Sequence, residues 1–263
     1  MRALIGGATL VLAAGLVVGA IAEPPRGQPA RFAANSVALP AAAAGAEGPV
    51  AAPAAGAAQP AAGVGEVAGS AQTTAGDAAL VDATWASTVA SRTVTPVRAL
   101  VAYAGAALRL QAEQPACHLG WNTLAALGAI ESGHGTHGGS AIGADGITLP
   151  AIYGPDLDGK AYAHIPDSDG GALDGSATGD RAMGPLQFIP STWQRWGTDG
   201  NGDGVADPQQ IDDAALAAGR YLCSYGDLST VSGWRASVFA YNHLDSYVDS
   251  VAKTANDYSA QAG

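Results

Sequence analysis

A mainly α-helical domain preceded by a low-complexity linker is the architecture that the sequence predicts, on three observations. Apolar residues recur at steps of three and four over several segments after residue 95, no alternating run of strand length is present, and the stretch before residue 85 is dominated by Ala, Pro and Gly. The 263 residues are 48% apolar, enough for one sizeable core or two small ones, which excludes a wholly disordered or fibrous chain.

The chain opens with an uncharged apolar run, Ala3 to Ala22, behind a lone Arg2 and ending in Ala20-Ile21-Ala22 before Glu23-Pro24-Pro25. Residues 1–22 read as an export signal, either cleaved after Ala22 or kept as a membrane anchor over residues 3–22. Residues 23–84 hold few large apolar side chains, so they cannot bury enough surface to offset their ordering entropy, and a disordered tether is expected there. The folded domain is expected over 85–263, beginning near Trp85.

Within the domain, Thr95-Pro96 reads as a cap and first-turn pair for a helix carrying Val97, Leu100, Val101, Ala104 and Leu108 up to about Glu113. A second helix is expected from Gly120 to Ser132, with Leu124, Leu127 and Ile130 apolar and Gly133 placed to end it. A third is expected from Asp207-Pro208, with Ile211, Ala214, Ala215, Ala218, Leu222 and Tyr225 on one face and Gly226 as its stop. Shorter helices are expected at Ser191 to Trp196, Gly233 to Asn242 and Asp245 to about Tyr258. Between Gly133 and Met183 runs a long Gly- and Asp-rich region, and loops of that length in compact domains are usually functional, so it is expected to wall a site. Export makes oxidation the default, so Cys117 and Cys223, the only pair, are expected to form a disulfide.

The formal charge of −11 argues against nucleic acid, which needs clustered Lys and Arg. Twelve Asp and no Glu lie between Asp145 and Asp213 against three basic residues, so the acidity is local and suggests a cation.

Glu131 stands out as an acid in the last turn of an apolar helix, where the unpaired carbonyls disfavour negative charge. Burial beside Leu127 and Ile130 acts in the same direction, so its carboxyl is expected to hold a proton near neutral pH, as a general acid must. Arg181-Ala-Met-Gly-Pro-Leu-Gln-Phe-Ile-Pro-Ser-Thr-Trp193 sets a Gly-Pro turn before an amide and two aromatics, and Phe239-Ala-Tyr-Asn242 followed by Tyr247 again supplies amide and phenol rather than charge. Such side chains suit sugars, whose hydroxyls and acetamides need neutral partners and whose ring faces need stacking.

Together, Ala-Ile-Glu131-Ser-Gly-His-Gly, Met-Gly-Pro-Leu-Gln187-Phe-Ile-Pro-Ser-Thr-Trp and Ala-Tyr241-Asn242 before Ser-Tyr247-Val resemble the lytic murein transglycosylases of the membrane-bound B-like family, over about 85 to 258. The resemblance implies a lysozyme-like helical fold with Glu131 as the single catalytic acid and base. It also implies that Gln187, Tyr241 and Asn242 line the cleft around peptidoglycan glycan strands. Thr178 falls where family members carry a small hydroxyl residue, and Tyr247 is counted with the substrate contacts.

Asp199-Gly-Asn201-Gly-Asp203-Gly204-Val205 sets oxygen ligands on alternate residues and a Gly where a calcium loop turns sharply. The usual Glu at position twelve is replaced by Gln210. The resembled family carries a variant loop with its closing Asp displaced, which implies Asp213 as last ligand and Val205 as a backbone carbonyl for a structural Ca2+. No cofactor is expected for the chemistry itself. His134 and His137 follow Glu131, but the glycines around them break the helix that would align metal ligands, and no HExxH is present.

The reading is an exported, monomeric enzyme cleaving the β-1,4 bond between N-acetylmuramic acid and N-acetylglucosamine. A hydrolytic lysozyme and a non-catalytic cell-wall binding module are its rivals.

Overall fold

The computed structural model describes residues 76–158 and 164–263. The expected export signal or anchor at 1–22 and the linker as far as residue 75 lie outside the described residues.

The described residues include seven α-helices and one small hairpin, with short 3-10 turns and long irregular loops between them: α1 (Ala83–Thr93), α2 (Val97–Glu113), α3 (Trp121–Ser132), strands β1 (Ala141–Ile142) and β2 (Thr148–Leu149), α4 (Pro190–Trp196), α5 (Ile211–Cys223), α6 (Val231–Tyr241) and α7 (Asp245–Ala262). α2 lies at the centre and packs on α5, α3 and α1, while α7 closes across α3, α1 and α6. Alanine makes this close packing possible. Ala99, Ala102, Ala106 and Ala107 of α2 and Ala214, Ala215, Ala217 and Ala218 of α5 are all buried, and so short a side chain lets two backbones approach. Larger side chains, Leu100, Tyr103, Leu110, Trp121, Leu124, Leu127, Leu216 and Leu222, fill the remaining space.

The periodicity places α2, α3, α4, α6 and α7 closely, and the structure differs from it at the start of the fold, at α5 and at the hairpin. The fold begins before Trp85: a 3-10 turn spans Asp77–Leu80, its Asp77 is buried against Arg109, and Asp82 caps α1 by accepting from the Trp85 N–H at 2.7 Å. Helix α5 starts at Ile211 rather than at Asp207-Pro208, because the Gln210 side chain accepts the N–H groups of Asp212 and Asp213 and so takes the capping position. It ends at Cys223, leaving Tyr225 beyond the helix and 46% exposed. The hairpin pairs Ala141 with Leu149 and Ile142 with Thr148, where no strand is expected.

Cys117 and Cys223 are joined, with Cα atoms 5.3 Å apart, which ties the turn after α2 to the end of α5.

Candidate active site

Glu131 is the penultimate residue of α3, and Gly133 ends that helix at φ +59°, a left-handed conformation that glycine adopts without cost. The carboxyl is partly buried and accepts a short hydrogen bond from the Tyr247 hydroxyl of α7. Burial raises its pKa from the ordinary carboxylate range to about 7, and the Tyr247 bond opposes that rise by favouring the ionised form. No second carboxylate contributes to the shift. Tyr247 itself is buried and its pKa is pushed up, first by that burial and then by the Glu131 charge.

The adjacent Ser132 joins the acid to the Gly184-Pro185 turn. Its hydroxyl donates to the Pro185 carbonyl at 2.6 Å and accepts from the Gly135 N–H at 2.8 Å. Tyr241, last residue of α6, donates its hydroxyl to the Leu186 carbonyl at 2.7 Å, and its pKa is raised well above the usual value by burial and then by the Glu131 charge. One turn, Met183 to Phe188, thus meets both the acid-bearing helix and the phenol.

Gln187 sits in that turn at φ +53°, a conformation that costs free energy for a side chain other than glycine. Its Nε2 donates to the Gly184 carbonyl at 2.8 Å, while its Oε1 lies where a side-chain carbon on Gly154 would come within 3.3 Å. Next to it Phe188 is wedged between Trp193 and Tyr241, with ring centroids 5.3 and 6.1 Å away. A cavity of about 300 Å³ opens here, lined by Ile165, Gln187, Thr192, Tyr221, Tyr241 and His243 among others. Its walls are largely aromatic and aliphatic with an amide, a hydroxyl and an imidazole among them, a composition suited to a sugar. Ile165 brings the Gly- and Asp-rich region to this wall. Asn242 caps α6 beside Tyr241 and is half-buried, its carbonyl accepting from the Leu244 N–H at 2.7 Å.

Of the predicted site residues only Gln187 and Tyr241 line this cavity; Glu131, Asn242, Thr178 and Tyr247 do not. Thr178 is exposed, with its hydroxyl 3.4 Å from that of Ser176, and does not line the cavity, because the 167–180 loop folds on its own carboxylates. Asp180 of that loop is fully buried and accepts from Ser168 N–H and Oγ, both at 2.8 Å. Tyr247 also stands off the cavity lining, and its hydroxyl is committed to Glu131. His134 is buried between the hydroxyls of Tyr103, at 3.3 Å, and Tyr258, at 2.9 Å, and burial pushes its pKa down to about 4. Ser132, Ile165, Tyr221 and His243 are contributors that sequence reasoning missed. Of these only Ser132 and His243 are flagged by position, each adjoining a predicted site residue.

The Asp199–Asp213 loop has the donor chemistry for a hard cation, offering carboxylates, the Asn201 amide and the Val205 carbonyl. Its backbone is wound on the Asp199 carboxylate, which accepts from Gly202, Asp203 and Gly204, with Gly204 at φ +90°. Asn201 accepts from the Asp203 N–H and Asp203 from the Val205 N–H. Asp213 is fully buried; one of its oxygens accepts from Gly200 and Asn201 and the other from Asp207, leaving a lone pair on the second. Burial raises its pKa to about 6, and the three N–H donors oppose that. The chemistry of the donor set suits a hard cation, with an acceptor of Asp213 left free for it. Among the described residues, the three carboxylates that converge within 4.8 Å are Asp167, Asp169 and Asp180 rather than those of this loop.

The mainly helical architecture is consistent with a lysozyme-like domain, and it carries a partly buried carboxyl of raised pKa together with an amide- and aromatic-lined cavity. Residues 163–246 match the family described as Transglycosylase SLT domain. The matched stretch contains Gln187, the whole Asp199–Asp213 loop, Tyr241 and Asn242, and it includes neither Glu131 nor Tyr247. At family level the match supports a lytic transglycosylase, a glycosidic-bond-cleaving enzyme with peptidoglycan as substrate. No curated protein and no solved structure matches the chain.

Proposed function

We propose that this protein is an exported peptidoglycan lytic transglycosylase in which Glu131 serves as both acid and base. The observation that carries the reading is the Glu131 carboxyl itself, raised to about 7 by burial with no second carboxylate contributing. A hydrolase of the two-carboxylate type needs a partner roughly 5 to 10 Å away to act as nucleophile or to activate water. With one acid, support for the oxocarbenium-like centre falls to the substrate's own 2-acetamido group. Glu131 protonates the leaving oxygen and then takes the proton from the muramyl 6-hydroxyl, which attacks the same carbon from within the sugar. Water is not consumed, and the product ends in a 1,6-anhydromuramyl group. Gln187, Tyr241 and Asn242 hold the sugars, Tyr247 orients and tunes the acid, and Ca2+ held by Asp199, Asn201, Asp203, Val205 and Asp213 is structural. Residues 1–22 direct export, with 3–22 as an anchor where they are retained.

Mass analysis of products from purified cell walls tests the reaction: ends lighter by one water than hydrolytic ends are expected. Ordinary reducing ends identify a lysozyme-type hydrolase instead, and intact walls identify a binding module. Glu131→Gln keeps the size of the side chain but has no proton to give, so activity is expected to fall at least about a hundredfold while the fold persists.

A further inference from the structure

Gln209 lies off the cavity lining, yet the backbone bonds that fix Gln187 lead back to it. Its side chain, on a residue only 8% exposed, grips Ile152 by both main-chain groups: Oε1 accepts from the Ile152 N–H at 2.9 Å and Nε2 donates to the Ile152 carbonyl at 2.9 Å. That same carbonyl accepts from the Gly184 N–H at 2.9 Å. The chain then runs alongside the Gln187 turn, with Tyr153 bridged to Met183 and the Gly154 N–H donating to the Ala182 carbonyl at 2.8 Å. Met183 and Phe188 close the turn by exchanging hydrogen bonds of 2.8 and 3.0 Å. From the other side Gly184 rests on the residue before Gln209, since a side-chain carbon on Gly184 would come within 1.8 Å of the Pro208 carbonyl oxygen. Gly184 is therefore held between Pro208 and Ile152, and the Gln187 amide hangs from the Gly184 carbonyl.

We infer that Gln209 is a positioning residue for Gln187, which through Ile152 and Gly184 holds the strained turn in the conformation that presents the Gln187 amide to the glycan. The assignment rests on the glycan-cleaving reading above. A left-handed residue other than glycine persists only where its surroundings over-determine it, and this brace does so. Glutamine suits the task because one planar amide carries the donor and the acceptor that match the carbonyl and N–H of a single residue. The brace hangs in turn from the Asp199–Asp213 loop, with the Gln209 N–H on Asp207 Oδ1 at 2.8 Å and the Asp207 N–H on Asp213 Oδ2 at 2.9 Å.

The test uses the full chain and peptide-free glycan strands of alternating N-acetylglucosamine and N-acetylmuramic acid, well below the melting midpoint of every variant. Gln209→Met keeps length and removes both hydrogen bonds. KM is expected to rise about tenfold with kcat changed less than about threefold, the pattern of lost binding rather than lost chemistry. Gln209→Glu keeps the acceptor for the Ile152 N–H and loses the donor, so a smaller rise in KM is expected, and this variant carries the test if Gln209→Met does not fold. In a Gln187→Ala background neither substitution is expected to move KM further, because Gln209 acts through Gln187. A lowered melting midpoint with wild-type KM, or effects on KM that add fully in the double variant, overturns the assignment. Wild-type protein that leaves the strands uncut removes the functional reading and this assignment with it. A cutting wild type with an unchanged Gln209→Met removes this assignment alone.

Discussion

At the scale of single residues, two opposing influences set the proton on Glu131, and they are separable by mutation. Burial raises the pKa and the Tyr247 hydrogen bond lowers it, with a balance at about 7. Tyr247→Phe removes the second influence and leaves the first. The pKa then rises, so the alkaline limb of the kcat/KM profile, where the free enzyme loses its acid, is expected to move to higher pH even if the maximum falls. A pH–rate profile checks this, and an unmoved or lowered limb rules out the tuning role. Stability follows the same group with a definite sign. The folded pKa lies above the ordinary 4.5, so the protonated carboxyl contributes stability that is complete below about 4.5 and is lost as pH rises through about 7. Glu131→Gln lacks this loss, so its melting midpoint relative to wild type is expected to climb between pH 4.5 and pH 8. The reason Glu131, Gln187 and Tyr241 are legible in the sequence is that each is a local anomaly: a charge at a disfavoured helix end, an amide after a Gly-Pro turn, a phenol beside an amide. The contacts that make them a site are not legible. Ser132 meets Pro185 across 53 residues and Gln209 meets Ile152 across 57, through backbone groups that every residue carries.

At the scale of elements, periodicity identifies helices whose apolar stripe is broad and fails for α1, where Thr, Ser and Arg alternate with a narrow stripe of Ala86, Val89 and Ala90. It misplaces the start of α5 because Asp-Pro imitates a helix beginning while Gln210 does the capping. The loop before α5 carries the calcium proposal and its prediction. Calcium that binds only the folded state raises the melting midpoint as its concentration exceeds the dissociation constant. Asp213 has a folded pKa of about 6 against an ordinary 3.8, so without a cation its ionisation opposes folding over that interval. Calcium needs the ionised carboxylate, so the rise in melting midpoint between chelator and calcium is expected to be larger at pH 7 than at pH 5. Asp213→Asn should shrink the effect at both. Identical melts with calcium and chelator at pH 7 remove calcium from the account.

At the scale of the whole molecule, the buried faces of the two central helices, α2 and α5, are lined largely by alanine, and this bears on what the disulfide does. Each buried alanine contributes little apolar area, so helices packed on alanine gain less from burial than helices packed on leucine or phenylalanine. Cys117 and Cys223 fasten the two helices that meet most extensively in this way, joining the turn beyond α2 to the last residue of α5. The bridge spans 106 residues of sequence, and in the chain-entropy account closing a loop of that length costs the unfolded chain about 3 to 5 kcal/mol that the native state does not lose. Replacing both cysteines with alanine is therefore expected to lower the unfolding free energy by an amount of that order, a large share of the 5 to 15 kcal/mol or so typical of a domain. Both cysteines are buried, at 5% and 7% exposed, so reductant should act on the unfolded chain far faster than on the native one. Glu131, Gln187 and Tyr241 lie on other elements, so the double variant is expected to keep wild-type kcat at temperatures where it stays folded and to lose activity earlier on heating. Denaturant titration of the oxidised protein and of the Cys117→Ala, Cys223→Ala variant measures the difference, and equal midpoints would show that the alanine-lined packing alone holds α2 to α5.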